Sequence, residues 1–128
     1  MKLLLDTHIF LWYVANSHRV PAAWVTLLRD PKNQVFLSVV SYWETIIKYR
    51  TGKLPLPEAP EIFVPKLRAL HRISSLIVDE ADVSYVAQLP SIHGDPFDRL
   101  LIAQSLRHGL TLLTVDADVR KYPNLSLL

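Results

Sequence analysis

The protein has 128 residues and a mass of 14.6 kDa; half of its residues are hydrophobic, and fourteen basic against twelve acidic residues give a net charge of +2. This composition is too apolar for a disordered chain, and the absence of cysteine excludes disulfides, thiolate zinc sites and cysteine nucleophiles. The small net charge permits nucleic-acid binding without predicting it. Because the chain has neither a signal peptide nor an apolar run of about 18 residues, we interpret residues 1–128 as one cytoplasmic domain without membrane contact.

Short apolar runs along the chain are typical of strands that are buried on both faces of a parallel sheet. The predicted strands are Leu3–Leu5, Val35–Leu37, Ser74–Val78 and Thr111–Thr114, with Leu125–Leu127 as a candidate for the last. Helical segments separate them. These are His8–Ala15, a helix after the second strand that ends near Thr51, Glu80–Leu89, and a helix from Asp95-Pro96 to Gly109. A further helix ends near His71, but Pro65 obscures its start. Strands that alternate with helices predict an α/β fold with a central parallel sheet covered on both faces.

Carboxylates recur where the predicted strands end, and ligands of open parallel sheets bind beyond that edge. The acids are Asp6 after the first strand, Glu44 in the helix after the second, Asp95 and Asp98 at the start of the long helix, and Asp116 and Asp118 after the fourth strand. Each also has a structural explanation, as a helix N-cap, as a solvated side chain, or, for Glu44, as an ion pair with Lys48. Together they would repel one another unless a cation compensated their charge.

Oxygen ligands without cysteine or a close histidine pair favour Mg²⁺ or Mn²⁺ over zinc. Such an ion can activate a water, and a pair of ions can clamp both oxygens of a phosphoryl displacement. The acids therefore predict metal-assisted phosphodiester hydrolysis. A magnesium-dependent phosphatase is the first alternative, although Thr7 and His8 follow Asp6 where that class needs a second aspartate. A catalytically silent binding module, whose acids only cap helices, is the other.

Several segments, taken in chain order, resemble the PIN-domain family, and in particular its VapC-type toxins of bacterial and archaeal toxin–antitoxin pairs. They are Leu3–His8, Ser38–Glu44, Gly52–Leu54, His93–Gln104 and Thr114–Asp118. The Asp-Pro-Phe-Asp-Arg run with its Leu-Ile-Ala-Gln continuation is the most specific of them. The resemblance covers essentially the whole chain.

The resemblance implies a three-layer α/β/α fold and a Mg²⁺- or Mn²⁺-dependent endoribonuclease that acts on single-stranded RNA. It also implies a cognate antitoxin and a homodimer. By position, the catalytic and metal-binding acids would be Asp6, Glu44, Asp98 and Asp116, with Asp118 as the alternative to Asp116. Thr114 would support the site.

Three further residues near these acids have open roles. Asp95 is either a support of the metal site or only a helix N-cap. Arg99 either contacts a phosphate or forms a surface ion pair, and His93 either approaches RNA or serves the loop. Aromatic side chains are either core or part of a protein interface: Phe10, Trp12, Tyr13, Trp24, Tyr42 and Trp43.

Overall fold

A computed structural model describes residues 1–128 and contains four strands and six α-helices. The strands are β1 (Lys2–Leu5), β2 (Gln34–Ser38), β3 (Ser74–Leu76) and β4 (Thr111–Leu113). The helices are α1 (Thr7–Val14), α2 (Ala22–Arg29), α3 (Val39–Arg50), α4 (Pro60–Leu70), α5 (Glu80–Tyr85) and α6 (Pro96–His108). All strand pairs are parallel, in the order β3-β2-β1-β4. None of the helices is both long and apolar enough to cross a bilayer.

The central strand β1 separates two hydrophobic clusters, and this makes the fold three-layered. Leu3 and Leu5 pack into one cluster with side chains of α1, α2 and α4, whereas Leu4 packs into the other with side chains of α6. All three leucines are fully buried, because successive residues of a strand point to opposite faces and both faces are covered. The predicted α/β/α fold with a central parallel sheet is confirmed.

Three predicted strands extend beyond the strands of the structure or are absent from it. The fourth ends at Leu113, one residue before the predicted Thr114. The third ends at Leu76 instead of Val78, since the carbonyl of Ile77 accepts a hydrogen bond from the Gln104 side chain rather than from a neighbouring strand. The predicted strand at Leu125–Leu127 is wrong: only Leu127 forms an isolated bridge, with Leu112.

Two helical predictions also need correction. The predicted helix Glu80–Leu89 divides into α5 and a short 3₁₀ helix at Val86–Gln88. Helix α2 was not predicted, because no capping side chain marks its start at Pro21. The helix of uncertain start is α4, which begins at Pro60 and runs through Pro65; proline is well suited to a first helical position, where no backbone donor is lost.

The aromatic side chains differ in how far they are buried. Phe10 and Tyr13 are buried in the core, and Trp12, Trp24 and Tyr42 are half-buried against it. Trp43 alone of this set is exposed, at 58%. It therefore remains a candidate for an interface.

Candidate active site

The carboxyl ends of β1 and β4 bring Asp6 and Thr114 side by side. The two strands pair in parallel, with Leu5 opposite Leu113, and the backbone N–H of Asp6 donates to the carbonyl of Leu113 at 3.0 Å. Thr114 is fully buried and donates its hydroxyl proton to Oδ2 of Asp6 at 2.6 Å. Residues 108 positions apart thus meet at one carboxylate.

Asp6 is a buried carboxylate that also caps a helix. Its Oδ1 accepts the backbone N–H of Thr7 at 2.7 Å at the start of α1, and the residue is only 7% exposed. Burial raises the pKa of Asp6 above its ordinary value, although the bond from Thr114 acts in the opposite direction. The predicted cap is confirmed, but capping does not remove the cost of burying this charge.

Glu44 reaches the same place from α3, six residues after the Ser38 N-cap. It is 4% exposed. Its Oε1 accepts the hydroxyl proton of Thr7 at 2.6 Å, and that hydroxyl also lies 2.9 Å from Oγ of Ser41. Oε2 forms an ion pair with Nζ of Lys48 at 2.8 Å. The predicted pair with Lys48 is therefore present, but on a buried glutamate rather than on a solvated helix face.

Asp98 enters from the first turn of α6. Pro96 occupies the start of this helix, and the N-cap Asp95 accepts the backbone N–H of Asp98 at 3.0 Å. The Asp98 side chain is 16% exposed, and its Oδ2 lies 3.1 Å from Nε2 of His93. Asp95 is thus an N-cap, as one of its two interpretations predicted.

The electrostatics show that these acids share one environment. Burial and the nearby charges of Asp6, Asp95 and Glu44 together raise the pKa of Asp98 to about 6, although the bond from His93 acts in the opposite direction. Although burial lowers the pKa of Lys48, its bond to Glu44 and the charges of Asp95 and Asp98 raise it overall. Lys48 is therefore the cation that partly balances the cluster.

Asp116 lies in the exposed loop after β4. Its Oδ1 accepts the backbone N–H groups of Asp118 and Val119 at 2.9 and 3.1 Å, and its own N–H donates to the Thr114 hydroxyl at 3.1 Å. Asp118 instead pairs with Nζ of Lys121 at 3.2 Å on the surface. Thr114 therefore ties the Asp116 loop to Asp6, whereas the Asp118 side chain is engaged elsewhere.

Arg99 forms no ion pair, and it holds the chain around the site. Its guanidinium donates to the carbonyl of Pro90 and to the hydroxyl of Tyr122, both at 2.9 Å. Sequence reasoning did not identify Tyr122 or the hydroxyl of Thr7 as parts of this region. Their contacts join residues far apart in the chain, so no local pattern marks them.

The chemistry of the donor set fits a hard divalent cation, because it consists of carboxylate oxygens that burial and mutual repulsion destabilise. In the present side-chain arrangement no three Asp, Glu or His residues are placed to hold one ion. The carboxylate oxygens of Asp6 and Glu44 accept hydrogen bonds from protein donors instead. A cation would replace the counter-charge that Lys48 now provides.

Comparison with known proteins identifies the family of this chain. The model of the PIN domain matches residues 3–125. Ribonuclease VapC22 of Mycobacterium tuberculosis strain H37Rv is 26% identical over 125 residues, which cover 94% of this chain and 91% of that protein. Ribonuclease VapC16 of the same strain is 39% identical over 59 residues; this match spans 46% of the chain and less than half of the relative, 42%.

Solved structures share the fold. VapBC2 from Rickettsia felis, bound to a DNA fragment from its promoter, has a TM-score of 0.75 at 18% identity and covers 100% of this chain and 98% of that one. VapBC-1 from nontypeable Haemophilus influenzae has a TM-score of 0.69 at 19% identity, with coverage of 100% and 97%. Since the domain model spans nearly the whole sequence, the chain belongs to the PIN domain family.

Proposed function

We propose that the protein is a Mg²⁺- or Mn²⁺-dependent endoribonuclease that hydrolyses phosphodiester bonds of single-stranded RNA. The observation that carries this proposal is the burial of Asp6, Glu44 and Asp98, from three chain segments, at one edge of the sheet. Glu44 raises the pKa of Asp6, and Asp6 and Glu44 raise the pKa of Asp98; such repulsion costs stability, so a role beyond folding explains these acids best. The ribonuclease names of the two relatives support the choice of RNA as substrate.

In this proposal Asp6, Glu44 and Asp98 hold the ion, with Asp116 as the fourth acid and Asp118 as its alternative. The chemistry that a bound ion supplies is activation of a water and neutralisation of charge on the phosphate. The protein's own donors orient the ligands: Thr114 holds one oxygen of Asp6 at 2.6 Å. The link between Thr114 and the backbone of Asp116 favours Asp116 over Asp118.

We further propose that the protein is the toxin of a toxin–antitoxin pair, and that a small antitoxin binds it and masks this site. The support is the set of similar structures, which are VapBC complexes. Because an RNA substrate and an antitoxin are both found in the cytoplasm, we place its action there. We treat residues 1–128 as one domain, since a single sheet carries both hydrophobic clusters.

A homodimer is the remaining partner proposal, and an apolar groove supports it, whose lining includes Trp43 and Phe97, the sequence neighbours of Glu44 and Asp98. The groove has a volume of about 480 Å³ and includes the exposed Trp43 and Val83, with Phe97 edge-on to the Trp43 ring at 5.0 Å. Seven of its eight lining residues are hydrophobic, and exposed apolar surface of this kind marks contact with another protein. Sedimentation of the wild type and of Trp43→Ser tests it; a wild type that sediments as a monomer would rule the dimer out.

The function is tested with purified protein and a fluorogenic single-stranded RNA, in Mn²⁺ and in a chelator. We expect cleavage only with the metal, and a loss of at least about a hundredfold in Glu44→Gln, because one ligand of a charge-stabilising ion is removed. Glu61→Gln, at an exposed position of α4, is the matched control and should cleave normally. A wild type without cleavage under any metal would favour the silent binding module, and equal cleavage by Glu44→Gln would contradict the assignment of the site.

A further inference from the structure

A chain of hydrogen bonds leads from Arg99 through Tyr122 and His93 to Asp98, the residue that precedes Arg99 on α6. It begins at Arg99, whose Nη1 lies 2.9 Å from the hydroxyl oxygen of Tyr122. It continues from that hydroxyl to Nδ1 of His93 at 2.7 Å, and from Nε2 of His93 to Oδ2 of Asp98 at 3.1 Å. The four side chains come from α6, from the loop before it and from the segment after β4.

The direction of each bond follows from the chemistry of the groups. Arginine can only donate, so the oxygen of Tyr122 accepts from Arg99. The Tyr122 hydroxyl proton has one acceptor within hydrogen-bond distance, Nδ1 of His93. Nδ1 is therefore unprotonated, and the imidazole proton lies on Nε2, from which it is donated to Asp98.

Other forms of His93 fit the same contacts poorly. A proton on Nδ1 would leave the buried hydroxyl of Tyr122, a residue only 4% exposed, without an acceptor. The neutral form with its proton on Nδ1 would also place a bare nitrogen against an oxygen of Asp98, where two lone pairs repel. Edge-on packing of the His93 and Tyr122 rings, 5.4 Å apart, fixes the imidazole in the required orientation.

We propose that His93 is a positioning residue, locked in its Nε2–H form by Tyr122 and Arg99, which holds the Asp98 carboxylate in one orientation for a divalent cation. His93 is the only side chain that forms a hydrogen bond to this carboxylate; it engages Oδ2 and leaves Oδ1 free. Outer donors that orient a ligating carboxylate are a common feature of metal sites. The inference rests on the proposed function, in which Asp98 is a metal ligand.

The tautomer is tested first, by ¹⁵N NMR of the imidazole nitrogens in metal-free protein at about pH 8, above the usual titration range of histidine. We expect the wild type to carry the His93 proton on Nε2, and Tyr122→Phe to show a mixture of the two neutral forms, because the phenyl ring lacks the hydroxyl. A wild-type proton on Nδ1, or a Tyr122→Phe spectrum identical to that of the wild type, would overturn the proposed lock.

The effect on the site is tested by Mn²⁺ binding measured by calorimetry. We expect His93→Leu to weaken binding by about 10- to 100-fold, the range for outer donors of metal sites. His93→Gln, which keeps an N–H donor, should recover most of the affinity, and His18→Leu, at an exposed histidine, should match the wild type. Thermal melts check that each variant folds; if His93→Leu does not, the comparison of Tyr122→Phe with the wild type decides.

The outcomes separate this inference from the proposed function. A wild type that binds no Mn²⁺ would overturn the metal-dependent function and the role of His93 with it. A wild type that binds Mn²⁺, together with a folded His93→Leu variant of equal affinity, would overturn only the role of His93.

Discussion

Two buried aspartates of this molecule have opposite electrostatic environments. The Asp82 side chain is fully buried, and its Oδ1 accepts from Arg107 at 2.5 Å and from His108 at 3.0 Å, while Oδ2 accepts the backbone N–H of Asp79 at 3.1 Å. Although burial disfavours its charge, these bonds hold the pKa of Asp82 below its ordinary value. Asp6 is almost as buried, yet its pKa is raised.

The difference lies in the neighbours. Asp82 closes a capping box at the start of α5 and contacts the Arg107 guanidinium, the His108 imidazole and a backbone N–H donor, so its ionised form contributes to folding. Asp6 and Asp98 lie near other carboxylates, and Lys48 is a cation near Glu44, Asp95 and Asp98. A buried acid that the fold fully satisfies is structural, whereas a buried acid whose pKa the fold raises is a candidate for function.

The largest expected effect is the loss of RNA cleavage in Asp98→Asn. We expect a decrease of at least about a thousandfold, because a charge-stabilising ion contributes several kcal/mol to the transition state. The melting temperature of metal-free protein should not fall, since the substitution removes a charge that burial disfavours. Cleavage assays and thermal melts check both; full activity in a folded variant would contradict the proposed site.

The converse substitution is Asp82→Asn. We expect the free energy of unfolding to decrease by about 3 kcal/mol, because bonds from charged partners to a buried carboxylate are lost. Cleavage per folded molecule should be unchanged. Urea unfolding and an active-fraction measurement check this, and a variant as stable as the wild type would remove the contrast between the two aspartates.

The two acids also predict opposite pH dependences. The pKa of Asp98 is about 6 in the fold against 3.8 as the ordinary value, so the folded state binds more protons between these limits. Its contribution to stability is therefore lost as the pH rises from about 4 to about 6. The lowered pKa of Asp82 has the opposite effect. Its ionised form stabilises the fold at pH values above the ordinary pKa of 3.8, and this stability is lost as the pH falls below that value. Metal-free unfolding from about pH 2 to 7 checks the signs: Asp98→Asn should weaken the first trend, to which Asp6 with its raised pKa also contributes, and leave the second.

Lys48 gives the smallest expected effect. Its ammonium competes with a divalent cation for Glu44, so Lys48→Met should tighten Mn²⁺ binding by about two- to fivefold, since a partly exposed ion pair contributes up to about 1 kcal/mol. Lys66→Met, which removes the ion pair with Glu58 on the surface, is the matched control. Calorimetry checks the difference; weaker binding in Lys48→Met would show that the lysine supports the site rather than competing for it.

Local signals predicted much of the fold. The apolar runs identified β1, β2 and β4, and short-range chemistry identified the caps Asp6 and Asp95. Gly109 was predicted to end α6, and it does so in the left-handed conformation with φ of 62°, which glycine adopts without strain. Such features depend on residues that are close in sequence, so they can be predicted from one sequence alone.

The remaining features depend on contacts that local patterns do not encode. Helix α2 has no capping side chain, although Trp24, Leu27 and Leu28 show the spacing of its inner face. The acids were expected at one edge because parallel strands share it, and Thr114 and Lys48 were expected beside them. The contacts of Thr7 with Glu44 and of His93 with Asp98 were not. Tyr122 and His93 are separated by 29 positions, and only the assembled fold brings them together.

The short β1 strand limits where the chain can change in length among related proteins. Its leucines serve opposite cores in strict alternation, and Asp6 follows them directly. Inserting or deleting one residue there would exchange the two faces and carry the acid away from Thr114. Length changes among relatives should therefore be absent from this strand and accumulate in connections such as residues 51–59, which bear neither a core strand nor a site acid.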